Sequence, residues 1–122
     1  MLALICFGGY CGGVTDLSAL PASLREFIEA TNAAEPLRFL AVFSDEAIID
    51  DWGRKFVGHD EIASWDQTDN IGVRAQFELV DYAVLAGDHV LRLRVTSDRF
   101  NGVGTLRFTL GSDGLITALV IS

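Results

Sequence analysis

The chain reads as an α+β domain with its helices first and most of its strands last. Three observations carry this reading. Apolar residues recur at helical spacing between positions 21 and 43. From position 73 onward they alternate with polar residues at a period of two, the signature of half-buried strands. Turn-forming glycine and aspartate clusters then divide that second half into four segments. The 122 residues fit a single core, and with 50% hydrophobic and 21% charged residues a packed globule is expected.

The elements follow in order. Pro21 suits a first helical turn, and Leu24, Phe27, Ile28 and Thr31 form one apolar face opposite Arg25, Glu26 and Glu29. The stretch 32–36 breaks this helix, and Pro36 starts a short second one with Leu37, Leu40 and Phe43 turned inward. Residues 47–52 read as a strand, 53–55 as a turn, and Phe56 and Val57 as a short returning strand ended by Gly58. A third helix is expected over 59–66, with Asp60 near its N-terminus and Ile62 and Trp65 facing in. Strands are expected at 73–86, 89–97, 103–110 and 115–121, the first two joined through Gly87-Asp88.

Alternation sorts the sheet into two faces. Ala75, Phe77, Leu79, Leu91, Leu93, Val95, Leu106, Phe108 and Leu110 share the apolar face that covers the helices. Arg74, Arg92, Arg94 and Arg107 fall on the polar face. The last strand is apolar on both sides, with Leu115, Leu119 and Ile121 opposite Ile116, Ala118 and Val120, so a second cover is expected there. A homodimer through the outer sheet face is the simplest such cover.

Charge and composition exclude several classes. The net charge is −8 and no Lys/Arg cluster offsets it, so no nucleic-acid partner is expected. No run reaches the roughly 18 apolar residues of a membrane span. Residues 1–19 form an apolar, glycine-rich extension ahead of a single domain at 20–122. The extension lacks the basic region of a secretory signal, and a cytoplasmic location is expected. Cys6 and Cys11 have no nearby histidine or further cysteine, so they are expected as free thiols and no metal site is expected. No phosphate-cradling glycine loop or nucleophile elbow occurs, and no cofactor is expected.

The segment most directly suggestive of chemistry is Phe43-Ser-Asp-Glu-Ala-Ile-Ile-Asp-Asp-Trp-Gly53, where an apolar run ends in two carboxylates and a tryptophan. Side chains alternate, so only one of Asp50 and Asp51 can face a pocket, and Asp50 is the solvated one. This segment combines with Phe27-Ile-Glu-Ala30, with Gly58, Ile62 and Trp65 at their spacing, and with Leu106-Arg-Phe108 and Gly114-Leu-Ile116. In that order the chain resembles the nuclear transport factor two-like superfamily, in its ketosteroid-isomerase-like and polyketide-cyclase-like branch. The resemblance spans residues 20–122.

The resemblance implies a cone: a strongly curved, mixed or antiparallel sheet wrapped around N-terminal helices, as in cystatin-like α+β barrels, with a cavity inside. In the isomerase branch a catalytic aspartate ends the strand after the second helix, and Asp51 falls there. Such a base works from an apolar pocket, where burial raises its proton affinity. Its partners are oxyanion donors, a tyrosine and a protonated aspartate. The matching positions here are Phe27 and Gly104, which donate nothing from a side chain. The cyclases use an Asp or His; His59 and His89 are the only histidines and are expected in structural or surface roles. Another branch flanks an arginine with two aspartates, for which Arg92 and Arg94 are the candidates, although alternation puts both on the polar face.

The expected site is therefore Asp51 as acid/base, with Trp52, Trp65, Phe27, Phe56 and Phe108 lining a pocket for a small apolar or cyclic molecule. The expected function is a cofactor-independent isomerase, cyclase or lyase. The alternatives are a non-catalytic binding module for an apolar ligand and a dimeric adaptor or assembly protein.

Overall fold

The structure is a computed structural model that describes residues 16–122. Cys6, Cys11 and the glycine-rich opening lie outside the described residues. Asp16 caps a single turn at Leu17–Ala19, and Leu17 packs on the core. Three helices follow, α1 (Ala22–Asn32), α2 (Pro36–Leu40) and α3 (Gly58–Asp69). The strands are β1 (Phe43–Asp51), β2 (Arg54–Val57), β3 (Gln76–Leu85), β4 (Asp88–Thr96), β5 (Gly102–Leu110) and β6 (Ile116–Ile121).

All six strands form one sheet in the order β2-β1-β6-β5-β4-β3. Only β1 and β6 run parallel, so the sheet is mixed. The chain lays down the β1–β2 hairpin and crosses over through α3. It then re-enters at the far edge as β3 and meanders back until β6 lies beside β1. The curved sheet closes around α1, as the α+β cone reading requires.

The face of α1 read from the sequence holds: Leu24, Phe27, Ile28 and Thr31 are all buried. Phe27 sits at the centre of an aromatic cluster, with ring centroids 5.2 Å from Phe39, 6.2 Å from Phe43, 5.6 Å from Phe77 and 5.1 Å from Phe108. Each such side chain, fully buried, stabilises the fold by about 1.5–3 kcal/mol. Asn32 ties the end of α1 to the sheet. Its Oδ1 accepts the Phe77 N–H at 2.7 Å and its Nδ2 donates to the Phe77 carbonyl at 2.9 Å.

Several local expectations are corrected. Of the three residues expected inward at α2, Leu40 packs against the core and Phe43 is buried at the start of β1, but Leu37 is 84% exposed and Phe39 is the buried residue of the helix. Strand β1 begins at Phe43 rather than 47, and α3 runs on to Asp69. Residues 73–75 precede β3: Ile71–Val73 form a 3-10 turn and Arg74 is left-handed, with φ 58°. The β3–β4 turn is Ala86-Gly87, one residue earlier than expected, with φ values of 51° and 83°.

Two irregularities break the parity of the strands. An extra residue between Leu79 and Asp81 lets Tyr82, rather than Asp81, continue the inner face. A shift between Thr109 and Leu110 brings both Ile116 and Leu119 inside. The last strand is therefore apolar at both parities because its inward residues change phase, not because it has two complete apolar faces. The outer face carries Arg92 paired with Asp81, Arg94 with Glu78 at 3.4 Å and Arg107 with Asp88 at 2.8 Å. The acids that answer these arginines come from the same chain.

Candidate functional site

The site forms where β1 runs out. Asp51 ends the strand, and Trp52-Gly53 turns the chain into β2 with φ values of 55° and 91°. Both residues are left-handed, as a two-residue hairpin requires. Glycine adopts this conformation freely, whereas a tryptophan there is held against its preference. Asp50 closes the turn: its Oδ1 accepts the Gly53 N–H at 2.7 Å, and it takes no part in the cavity wall.

Asp51 instead lines a cavity of about 270 Å³. Trp65 from α3, Asn70 just beyond it, Phe77 from β3, Val95 from β4, and Gly104 and Leu106 from β5 complete its walls. Trp52, Phe100 and Val103 also line it and are 75%, 50% and 44% exposed, which puts them at the mouth. A second depression of about 370 Å³ lies beside Pro21, Leu110 and Leu115, and no aromatic side chain lines it.

The Asp51 carboxylate is not in purely apolar surroundings. Its Oδ2 accepts the Trp65 indole N–H at 3.0 Å and Arg54 Nη2 at 2.6 Å. The same Arg54 nitrogen reaches Asp69 Oδ1 at 3.2 Å, and Arg99 Nη1 reaches that oxygen at 3.1 Å. A chain of alternating charge, Asp51–Arg54–Asp69–Arg99, therefore crosses one side of the cavity. Burial alone would push the Asp69 carboxyl up. The Thr68 hydroxyl at 2.8 Å and the Arg54 guanidinium outweigh it and hold the group below the usual carboxylate range.

Behind this wall lies a buried polar cluster. Asn70 Nδ2 donates to Asp66 Oδ1 at 3.0 Å and to Thr31 Oγ1 at 3.1 Å. The Ile71 N–H adds a second donor to Asp66 Oδ1 at 3.3 Å. Burial pushes the Asp66 carboxyl up, and the bonds from Asn70 and Ile71 offset this only in part.

Of the residues singled out in the sequence, Asp51, Trp52 and Trp65 come together at the cavity. Phe27 and Phe108 are fully buried in the core, with Phe77 stacked between Phe27 and the cavity. Phe56 lies under the Arg54 guanidinium, 5.5 Å from the ring centre, and is not part of the wall. His59 bonds the Phe43 carbonyl at 2.9 Å, and His89 bonds the Tyr82 hydroxyl at 2.8 Å; neither lines the cavity. Arg92 and Arg94 stay on the outer face, and the arginine that does lie between two aspartates is Arg54. Reading Trp52-Gly53 as the turn would have exposed the Asp51–Arg54 pair from sequence, since these two residues then face each other across the hairpin. Among the described residues no three His, Cys, Asp or Glu side chains gather as a metal-binding group, and no helix is long and apolar enough to cross a membrane.

A curved mixed sheet around an aromatic-packed helix, with a carboxylate on the wall of a cavity, defines a pocket-bearing α+β cone. No family model matches the sequence, and no curated protein matches it either. Solved structures do match. A candidate polyketide cyclase from Sinorhizobium meliloti superposes with a TM-score of 0.79 at 22% identity, over 88% of this chain and 99% of its own. A candidate ketosteroid isomerase from Kribbella flavida gives 0.70 at 14% identity, over 83% and 74%. A computationally designed 17-OHP binder gives 0.74 at 16%, over 83% and 87%. The chain has the nuclear transport factor two-like fold, and at these identities the fold is what is shared.

Proposed function

We propose that the protein binds a small, largely apolar cyclic molecule in this cavity, with Asp51 moving a proton on it without a cofactor. The observation that carries the reading is the Asp51 carboxylate on the wall of a cavity whose other side is lined by Trp65, Phe77, Val95 and Leu106. Ligand pockets run to roughly 300–1,000 Å³, so a cavity at the lower limit suits one or two rings. Kinship of fold with candidate cyclases and isomerases and with a designed 17-OHP binder supports such a pocket by analogy. Phe27 and Phe108 pack in the core and leave the cavity open, which argues against the adaptor reading. The binding-module alternative keeps the pocket and dispenses with the proton transfer. A second catalytic reading, addition of water to a strained ring, draws on Arg54 between Asp51 and Asp69.

Gly104 supplies the test. A Cβ there would meet nothing nearer than Leu106 Cδ1 at 3.8 Å, and the position shares the inner face with Leu106 and Phe108. Gly104→Phe is expected to fill the cavity, cost no more than about 3 kcal/mol of stability, and abolish the quenching of tryptophan fluorescence by 2-naphthol. Undiminished binding by that variant would move the site elsewhere.

We also propose a homodimer through the outer sheet face. Ile48 on β1 and Val120 on β6 are 39% and 44% exposed there, on adjacent strands. Sedimentation equilibrium is expected to give twice the chain mass, and a monomer at tens of micromolar rejects the proposal.

A further inference from the structure

We infer that the polar end of the cavity is built to receive a hydrogen-bond donor, so that the molecule it takes is a neutral one bearing a hydroxyl group. This rests on the pocket reading and adds the functional group to it. Asn70 lines the cavity and is only 1% exposed. Its amide orientation is set by chemistry. Asp66 Oδ1 already accepts the Ile71 N–H, so the Asn70 atom facing it at 3.0 Å is the donor Nδ2. The amide oxygen must then point away from Asp66, and among the described residues nothing donates to it. The one fully enclosed side-chain polar atom without a partner among those residues is Ser23 Oγ. Asn70 Oδ1 therefore keeps contact with open space, and the space that Asn70 borders is the cavity.

Asp51 adds a second acceptor. Its Oδ2 is taken by Arg54 and Trp65, whereas Oδ1 accepts no bond among the described residues. The donors of the less exposed side chains are spent, and those still free, on Trp52, Ser122, Arg54 and Arg99, belong to exposed residues. The Trp65 indole N–H is on Asp51, and the Ser97 hydroxyl donates to the Phe100 carbonyl at 2.9 Å. Arg54 and Arg99 lie at the exposed rim, where they pair with Asp51 and Asp69. What the interior offers a ligand is thus acceptors. The charges lining the cavity, Asp51, Asp69, Arg54 and Arg99, cancel, so neither an ammonium nor a carboxylate would be matched. A hydroxyl brings the donor without the charge. An analogue without the hydroxyl leaves a desolvated acceptor unpaired and binds more weakly.

The test uses the full chain and three probes of one shape: 2-naphthol, 2-methoxynaphthalene and naphthalene. Amide and indole proton–nitrogen spectra follow Trp65 Nε1–H and the Ala75 and Gly104 amides as each probe is titrated. All three are expected to shift these signals, with 2-naphthol binding at least roughly tenfold tighter than its methyl ether. Asn70→Leu is expected to shrink that preference; should it fail to fold without its bonds to Thr31 and Asp66, the probe series on the unmodified chain decides alone. Equal affinities with the same signals moving would overturn the hydroxyl inference and leave the pocket reading standing. Failure of all three probes to move these signals overturns both.

Discussion

Alanine at position 72 is expected to lower the melting temperature by more than about 10 °C or to prevent folding. Gly72 sits in the Ile71–Val73 turn, tight against the last turns of α3. A Cβ built there would lie 1.5 Å from the Gln67 carbonyl oxygen and 2.4 Å from its carbon. These are backbone atoms, so no side-chain rotation relieves the overlap. Either the end of α3 or the turn has to move, and both hold the site. The Asn70 N–H donates to the Asp66 carbonyl at 3.2 Å, and the Asn70 carbonyl accepts the Val73 and Ala75 N–H groups at 3.1 Å. Overpacking that side chains can absorb costs about 1–3 kcal/mol. A backbone overlap belongs above that range, and each kcal/mol shifts the melting temperature of a domain this size by about 4 °C or more. Thermal unfolding followed by circular dichroism checks it. A variant melting within a few degrees of the parent would mean that the turn is not packed on Gln67 as described.

Asp51→Asn is expected to keep the fold and to lower turnover by roughly 10²–10⁴-fold, the usual contribution of a positioned acid/base. The amide oxygen can still accept the Trp65 indole N–H, and Arg54 retains Asp69, so the wall of the cavity survives. What is lost is the group that holds a proton. Hydrogen–deuterium exchange or product formation in the bound molecule reads the change, and unaltered rates would remove Asp51 from the mechanism. Asp69→Asn separates the two catalytic readings. It leaves a proton shuttle by Asp51 largely intact but disables water addition that needs Arg54 between two carboxylates. Absence of turnover in both the parent and Asp51→Asn, with binding retained, returns the protein to the binding-module reading.

Much of the fold was legible because local periodicity reports burial. The spacing of Leu24, Phe27, Ile28 and Thr31 named the buried face of α1, and alternation along β4 and β5 separated Leu91, Leu93, Leu106 and Phe108 from their outward neighbours. It fails where one extra residue changes the phase, as after Leu79 and beside Leu110. No composition signal marks those sites. The site followed the same division. Asp51 and Trp65 were visible because one ends an apolar strand and the other sits on an amphipathic helix. Arg54 is hidden because Gly53 alone marks the turn in the sequence, while the turn is Trp52-Gly53 and Arg54 already pairs with Asp51. Asp69 and Asn70 are hidden because the apolar spacing of α3 runs out near 66, whereas the helix continues to Asp69. Phe27 and Phe108 looked like pocket residues because a core aromatic and a pocket aromatic share the same pattern. Only the position of Phe77, stacked on Phe27 at an interplanar angle of 5°, shows which ring meets the cavity.

The central claim is that the cavity beside Asp51 is a ligand site. The most direct measurement is a crystal structure of the protein soaked with 2-naphthol. Density for the ring against Phe77 and Leu106, with its hydroxyl within hydrogen-bond distance of Asp51 Oδ1 or Asn70 Oδ1, is the expected result. An empty cavity with the probe seated only in the depression beside Pro21 and Leu115 would contradict it.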